Sequence, residues 1–217
     1  MFKQLPTVVK NLIIINVILF LGSKMLGDSA DLLASYYPSH YLFRPWQIVT
    51  HMFMHADLSH LFFNMFGLYF FGTYLENHWG QRKFLIFYMF CGLGAWFLYE
   101  LVDGIQFMSV LGTAFPDEEW WRGLEYEGRY ANVRGASGAV FGLLMGFAMC
   151  FPHVRVQLLF PPIPMKARTM AIVFGGLELF QIWGNSGGNI AHLAHVGGML
   201  FAWVLIVYWK KKGQIHY

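Results

Sequence analysis

Near-continuous apolar runs occupy residues 11–27, 58–76, 84–102, 136–151, 167–183 and 190–209, separated by short polar segments or by two longer connections. Most approach the ~20 residues that a helix needs to cross ~30 Å of hydrocarbon. The first run carries only Lys24, near its end, and no convincing small-residue cleavage site follows it, so it reads as an anchor rather than a removed leader. The fourth is closed by Pro152, the fifth is the least apolar, and the sixth ends at Lys210-Lys211-Lys212. The pattern predicts an all-α polytopic membrane protein: six transmembrane helices in one bundle, a short fourth helix among them, and a single domain over 1–217.

Composition agrees and removes the soluble alternative. At 57% hydrophobic and 12% charged residues, with 22 Phe and a mean hydropathy of +0.45, the chain has too little polar surface to cover a water-soluble globule. Charge then orients the bundle. Lys3, Lys10, Arg82, Lys83, Arg155, Lys166, Arg168 and the lysine triplet fall on one side of six spans. Asp28, Asp31, Asp57, Asp103, Asp117, Glu118, Glu119, Glu125 and Glu127 fall on the other. Basic residues are retained on the cytoplasmic face, so both termini are expected there, in the plasma membrane of a bacterium. This asymmetry accounts for the net +3 charge without nucleic acid, and the lysine triplet is placed to touch anionic lipid.

The two longer connections, 28–57 and 103–134, lie outside. Asp117-Glu118-Glu119-Trp120-Trp121 suits either an interfacial segment or a solvated turn. Cys91 and Cys150 fall within spans, which argues against a disulfide framework.

Two residues stand out against this apolar background. Ser137, in Gly135-Ala136-Ser137-Gly138, opens the fourth run, and His195 lies inside the sixth. A hydroxyl among small residues and an imidazole able to take its proton are the minimum apparatus of nucleophilic catalysis. Measured from Pro152 at the inner surface, the fourth helix reaches only roughly 24 Å at ~1.5 Å per residue, so Ser137 lies below the outer surface. His195 falls roughly 8 Å deep from the same side by the same rise. Backbone leading into Ser137 must then dip into the membrane, which is tolerated only inside protein or beside a water-filled cavity.

Gly138, Gly142 and Gly146 form one stripe, and Gly198 with Ala202 another; small residues at this spacing let helices approach closely, as they also do in ordinary membrane packing. Facing the stripes together brings Ser137 and His195 within reach. On the second run, His60 and Asn64 share a helix face, so their N–H groups suit an oxyanion, although each also suits a bond to a neighbouring helix. Backbone N–H groups at the start of the fourth helix, that of Ser137 included, are further donors.

Together, His51, His55, His60 and Asn64 in HMFMHADLSHLFFN, Gly135-Ala136-Ser137-Gly138 and Ala194-His195-Val196-Gly197-Gly198 resemble the rhomboid family of intramembrane serine proteases over nearly the whole chain. The resemblance implies a Ser137 nucleophile and a His195 general base with no carboxylate third member. It also implies oxyanion donors at His60 and Asn64, and an aromatic ring at Phe141 packed on the catalytic imidazole. Gly135, Gly138 and Gly198 support the site. Its substrates would be single-pass transmembrane proteins, admitted laterally near the second and fifth spans and cut near their outer end, with membrane lipid as the other partner. No cofactor, metal or nucleic acid is implied. One departure is Trp46-Gln47, where many members have Trp-Arg; Arg44 is the nearby alternative cation.

Two other classes compete. An inactive relative that binds and escorts membrane proteins would usually lack the serine or histidine, and both are present. A metal-binding transporter or metalloenzyme would use His51, His55, His60, His192 and His195, but Glu178 is the only intramembrane carboxylate read beside them and no Cys joins them. Glu178 is itself either a functional group or a protonated or hydrogen-bonded structural one. His192, one turn before His195, is a rival base that lacks the glycine spacing following His195.

Overall fold

The computed structural model describes residues 5–126, 132–157, 162–184 and 189–215, so Lys3 and Glu127 of the charge pattern lie outside the described residues. Helix α1 spans Thr7–Leu26 and passes into a 3-10 turn at Gly27–Leu33. Its N-terminus has no side-chain cap of its own. Glu76, buried and distant in sequence, accepts from the N–H of Val8 at 3.0 Å and of Val9 at 2.8 Å. A carboxylate there satisfies orphan donors and complements the positive helix end, which gives Glu76 a structural role.

After the short helix α2 (Gln47–Thr50), α3 (Leu58–Gly67) starts at Asp57, whose side chain accepts from His60 N–H. A π-helical turn at Leu68–Gly72 joins α3 directly to α4 (Thr73–Trp79), so the second apolar run is one helical rod. Helix α5 (Gln81–Leu111) is 31 residues long, roughly 46 Å at ~1.5 Å per residue, and outreaches the ~30 Å core. The expected end near residue 102 is therefore too early. The chain stays helical through Asp103, Gln106 and Ser109, and α5 ends only at Gly112, whose φ of 72° favours glycine.

The following connection folds as α6 (Glu118–Tyr126), with Asp117 accepting from Trp120 N–H at 2.9 Å. Trp121 is fully buried, edge-on to Phe107 and tilted against Tyr37 and His40, so it is neither an interfacial anchor nor part of a solvated turn. It builds a small aromatic core between the two outer connections.

Helix α7 (Ser137–Cys150) is 14 residues long, roughly 21 Å. A short antiparallel hairpin, β1 (Arg155–Gln157) with β2 (Pro164–Lys166), leads into α8 (Ala167–Trp183), and α9 (Asn189–Lys211) follows. Among the described residues three helices are long and apolar enough to cross a membrane by themselves, Thr7–Leu26, Gln81–Leu111 and Ala191–Lys211; α7 is the shorter apolar one. It stands in the interior, packed by α5 and α9 and flanked by α3 and α8.

Glycines set that packing. A Cβ at Gly198 would fall 1.9 Å from Gly138 O, and one at Gly142 would fall 3.1 Å from Gly198 O, so α7 and α9 meet backbone to backbone. The α7 stripe also receives α5: Cβ atoms at Gly138, Gly142 and Gly146 would strike Ala95, Cys91 and Phe87. Gly94 makes the same kind of room for the Phe201 ring. Small residues thus bring three helices together rather than two. Cys91 and Cys150 are buried free thiols.

Candidate active site

Chain connectivity alone leaves the segment before Ser137 as irregular backbone, and the connection 28–57 supplies its hydrogen bonds. Ser35 and Val133 exchange N–H to carbonyl bonds at 2.8 Å in both directions, and Gly135 N–H donates to His51 O at 2.9 Å. Arg134 reaches Asp31 at 3.3 Å, and Trp96 of α5 donates to Ser35 Oγ at 2.7 Å. Backbone polar groups of this segment are thereby paired inside protein.

The connection itself is organised by Gln47, which is fully buried. Its Nε2 donates to Leu32 O and Leu42 O, and its Oε1 accepts from the N–H groups of Tyr36 and Arg44. Arg44 does not replace the missing arginine: its guanidinium is exposed and, among the described residues, bonds its neighbours' carbonyls, Tyr41 O and Phe43 O. A neutral amide, donor and acceptor in one group, does here what a cation cannot, since an arginine only donates. His51 Nδ1 pairs with Gln47 O at 2.9 Å, and burial pushes this imidazole down to about 4, so it stays neutral at physiological pH.

Helix α7 begins at Ser137, and Val140 N–H is bonded to Ala136 O at 3.0 Å. By helix geometry the N–H groups of Ser137, Gly138 and Ala139 precede the first intrahelical bond, and these residues line a cavity of about 750 Å³. His60 and Asn64 from α3, Phe141 from α7 and His195 from α9 line the same cavity, as does Gly135; Gly198 lies outside it at the helix contact. The sequence-expected site residues are therefore brought to one place, with Gly198 setting the distance between their helices.

Gly135 has φ of 127°, a conformation L side chains rarely adopt. A Cβ there would lie 2.7 Å from both Cε1 and Nε2 of His60 and 3.7 Å from Ser137 Oγ. The glycine lets the His60 ring edge approach the chain beside the hydroxyl. Asn64 Nδ2 donates to His60 O at 3.0 Å, which uses one of its two amide hydrogens. His55 packs edge-on against His60, with ring centroids 5.0 Å apart.

On the opposite wall, the His195 imidazole lies parallel to the Phe141 ring, centroids 4.1 Å apart and planes 7° from parallel. His195 Nδ1 is 3.1 Å from Glu178 Oε1, and His192 Nδ1 is 2.5 Å from Glu178 Oε2. Nε2 of His195 is left as the nitrogen not engaged with the carboxylate. His192 is not a lining residue, so position as well as spacing separates the two histidines.

The metal reading fares differently from its statement in sequence terms. His51, His55 and His60 do not join the α9 histidines in one ligand set; among the described residues the grouping with metal-ligand proximity is Glu178, His192 and His195. Their mutual ion-pair distances account for the grouping without an ion. Glu178 is also not alone as a buried carboxylate in an apolar run: Glu100 of α5, inside the third run, is buried as well. Reading that run by its average hydropathy hides it.

A family model described as the rhomboid domain matches residues 43–212. RHOMBOID-like protein 12, mitochondrial, of Arabidopsis thaliana is 30% identical over 181 residues, covering 78% of this chain and 48% of that protein. Rhomboid protein 1, mitochondrial, of Saccharomyces cerevisiae is 25% identical over 174 residues, with 77% and 44% covered. Rhomboid-like protease 3 of Toxoplasma gondii is 26% identical over 179 residues, with 82% and 57% covered. The chain spans about half the length of the curated relatives it matches. The organellar names of the first two lend no support to the expected bacterial plasma membrane. The chain belongs to the rhomboid family and is a membrane protein with apolar membrane-crossing helices.

Proposed function

We propose that this rhomboid-family chain is an intramembrane serine endopeptidase that cuts transmembrane segments of single-pass membrane proteins near the outer face. The observation carrying this reading is that Ser137 and His195, from helices distant in sequence, line one cavity, with the imidazole stacked on Phe141. In this reading all six apolar runs cross the bilayer, the basic connections face the cytoplasm, and the cavity opens to the acidic side.

Chemistry follows from the positions. His195 Nε2 takes the proton of Ser137 Oγ as the oxygen attacks the scissile carbonyl, and the developing oxyanion is met by the N–H of Ser137, the His60 ring and the remaining N–H of Asn64. His195 then passes its proton to the leaving amine, and an acyl-enzyme remains. Water, activated by the same imidazole, hydrolyses it. A substrate helix hides its carbonyls in internal bonds, so helix-breaking residues near the cut favour cleavage.

The test is labelling of the purified protein in detergent with a fluorophosphonate probe. Wild type should be labelled and Ser137→Ala should not; equal labelling of the two would sink the assignment. It also decides against the inactive-escort alternative, which needs no reactive serine. A separate expectation concerns the donors. His60→Ala and Asn64→Ala should each lower kcat by roughly 10²-fold while KM for a transmembrane substrate changes little, because these bonds strengthen only as negative charge develops. A rise in KM with kcat intact would assign both residues to substrate binding instead.

A further inference from the structure

We propose that Glu178 is a positioning residue for His195, holding the base of the Ser137–His195 pair by its Nδ1 edge; the inference rests on the protease reading above. Glu178 projects from α8 between two histidines of α9, with Oε2 on His192 Nδ1 at 2.5 Å and Oε1 3.1 Å from His195 Nδ1. Its side chain is 10% exposed. A carboxylate at that depth is costly unless each oxygen is met by a donor. Both of its oxygens face imidazole nitrogens.

This arrangement selects a tautomer. To satisfy the carboxylate, each histidine presents Nδ1–H, which leaves Nε2 of His195 unprotonated. An unprotonated Nε2 is what a general base beside Ser137 requires. Ring position is held from two directions, by Phe141 on the face and Glu178 on the edge. The His192 contact is the tighter one and anchors Glu178, while the His195 approach is close but off the axis of an ideal hydrogen bond. Catalytic bonds of that kind commonly align only when substrate is bound.

Proton accounting is simple. The Ser137 proton moves to His195 Nε2 as the Oγ–carbon bond forms, and the imidazolium keeps its Nδ1–H directed at the carboxylate. Glu178 remains ionised throughout and stabilises that cation. The Nε2 proton then leaves with the amine as the carbon–nitrogen bond breaks.

Labelling kinetics with the fluorophosphonate probe, separated into an affinity constant and a chemical rate constant, test the role. Glu178→Gln should lower the chemical constant by roughly 10²-fold or more and leave affinity nearly unchanged, since charge and tautomer control are lost but volume is not. Glu178→Asp should recover at least part of that loss. An unchanged chemical constant in Glu178→Gln, a loss carried by affinity, or no recovery with Asp would overturn the proposal. A second measurement needs no variant: nitrogen NMR of the labelled histidines in the wild-type protein should show His195 protonated at Nδ1, and an Nε2–H resting form would also overturn it. Wild-type labelling with unchanged Glu178→Gln kinetics defeats this inference alone. Absence of Ser137-dependent labelling in wild type defeats the protease reading and this inference with it.

Discussion

His195→Ala, reconstituted in liposomes with a transmembrane substrate, is expected to cleave about 10⁴-fold or more slowly than wild type, below ordinary detection. Ser137 has no other imidazole beside it among the residues lining the cavity except His60 and His51. His51 is committed through Nδ1 to Gln47 O and buried, and His60 is on the oxyanion side in the proposed mechanism. Loss of His195 therefore removes both the base for attack and the acid for amine departure. His192→Ala should retain measurable cleavage, because His192 reaches the site only through Glu178. Gel analysis of substrate and product at matched enzyme levels checks the pair. Retained cleavage by His195→Ala with loss in His192→Ala would reverse the assignment of the base.

Gly198→Ala is expected to be as damaging to activity as loss of an oxyanion donor, although Gly198 touches no substrate. The added methyl would lie 1.9 Å from Gly138 O and 2.7 Å from Gly138 C, both backbone atoms that cannot rotate aside. Relief requires α9 to move away from α7 by more than 1 Å, with a stability cost of about 3 kcal/mol. That motion separates His195 on α9 from Ser137 on α7, and a displacement of this size costs on the order of 10²-fold in rate even where the protein stays folded. Thermal unfolding in detergent, together with fluorophosphonate labelling at a temperature where both proteins are folded, reads the two effects apart. Gly176→Ala is the matched control, since a Cβ there meets open space. Wild-type stability and labelling in Gly198→Ala would mean that α7 and α9 are not held as described.

Much of the bundle was legible in the chain. The expected fifth run, 167–183, coincides with α8, and the expected first, second, fourth and sixth runs differ from their helices by a few residues at the ends. Hydropathy reports lipid compatibility well and helix ends poorly, so α5 continues nine residues past the expected limit, through Asp103 to Leu111. Juxtaposition of α7 and α9 was also readable, because Gly138, Gly142 and Gly198 must face something that comes close. The same stripe gave no sign that α5 would share it.

By itself the amino-acid sequence determined membrane residence, the order of the apolar helices and the identity of the serine, the imidazoles and the close-packing glycines, because each is a property of residue type or local spacing. Tertiary structure alone decided that Gln47 secures the outer connection, that Trp121 is core, that Glu76 caps α1 and that Glu178 meets His195 instead of lipid. These are pairings across elements, and they depend on how each helix is rotated about its own axis. In helices apolar on nearly every side no polar face announces that rotation; it is set by which small residues permit backbone contact and which buried polar groups must find one another.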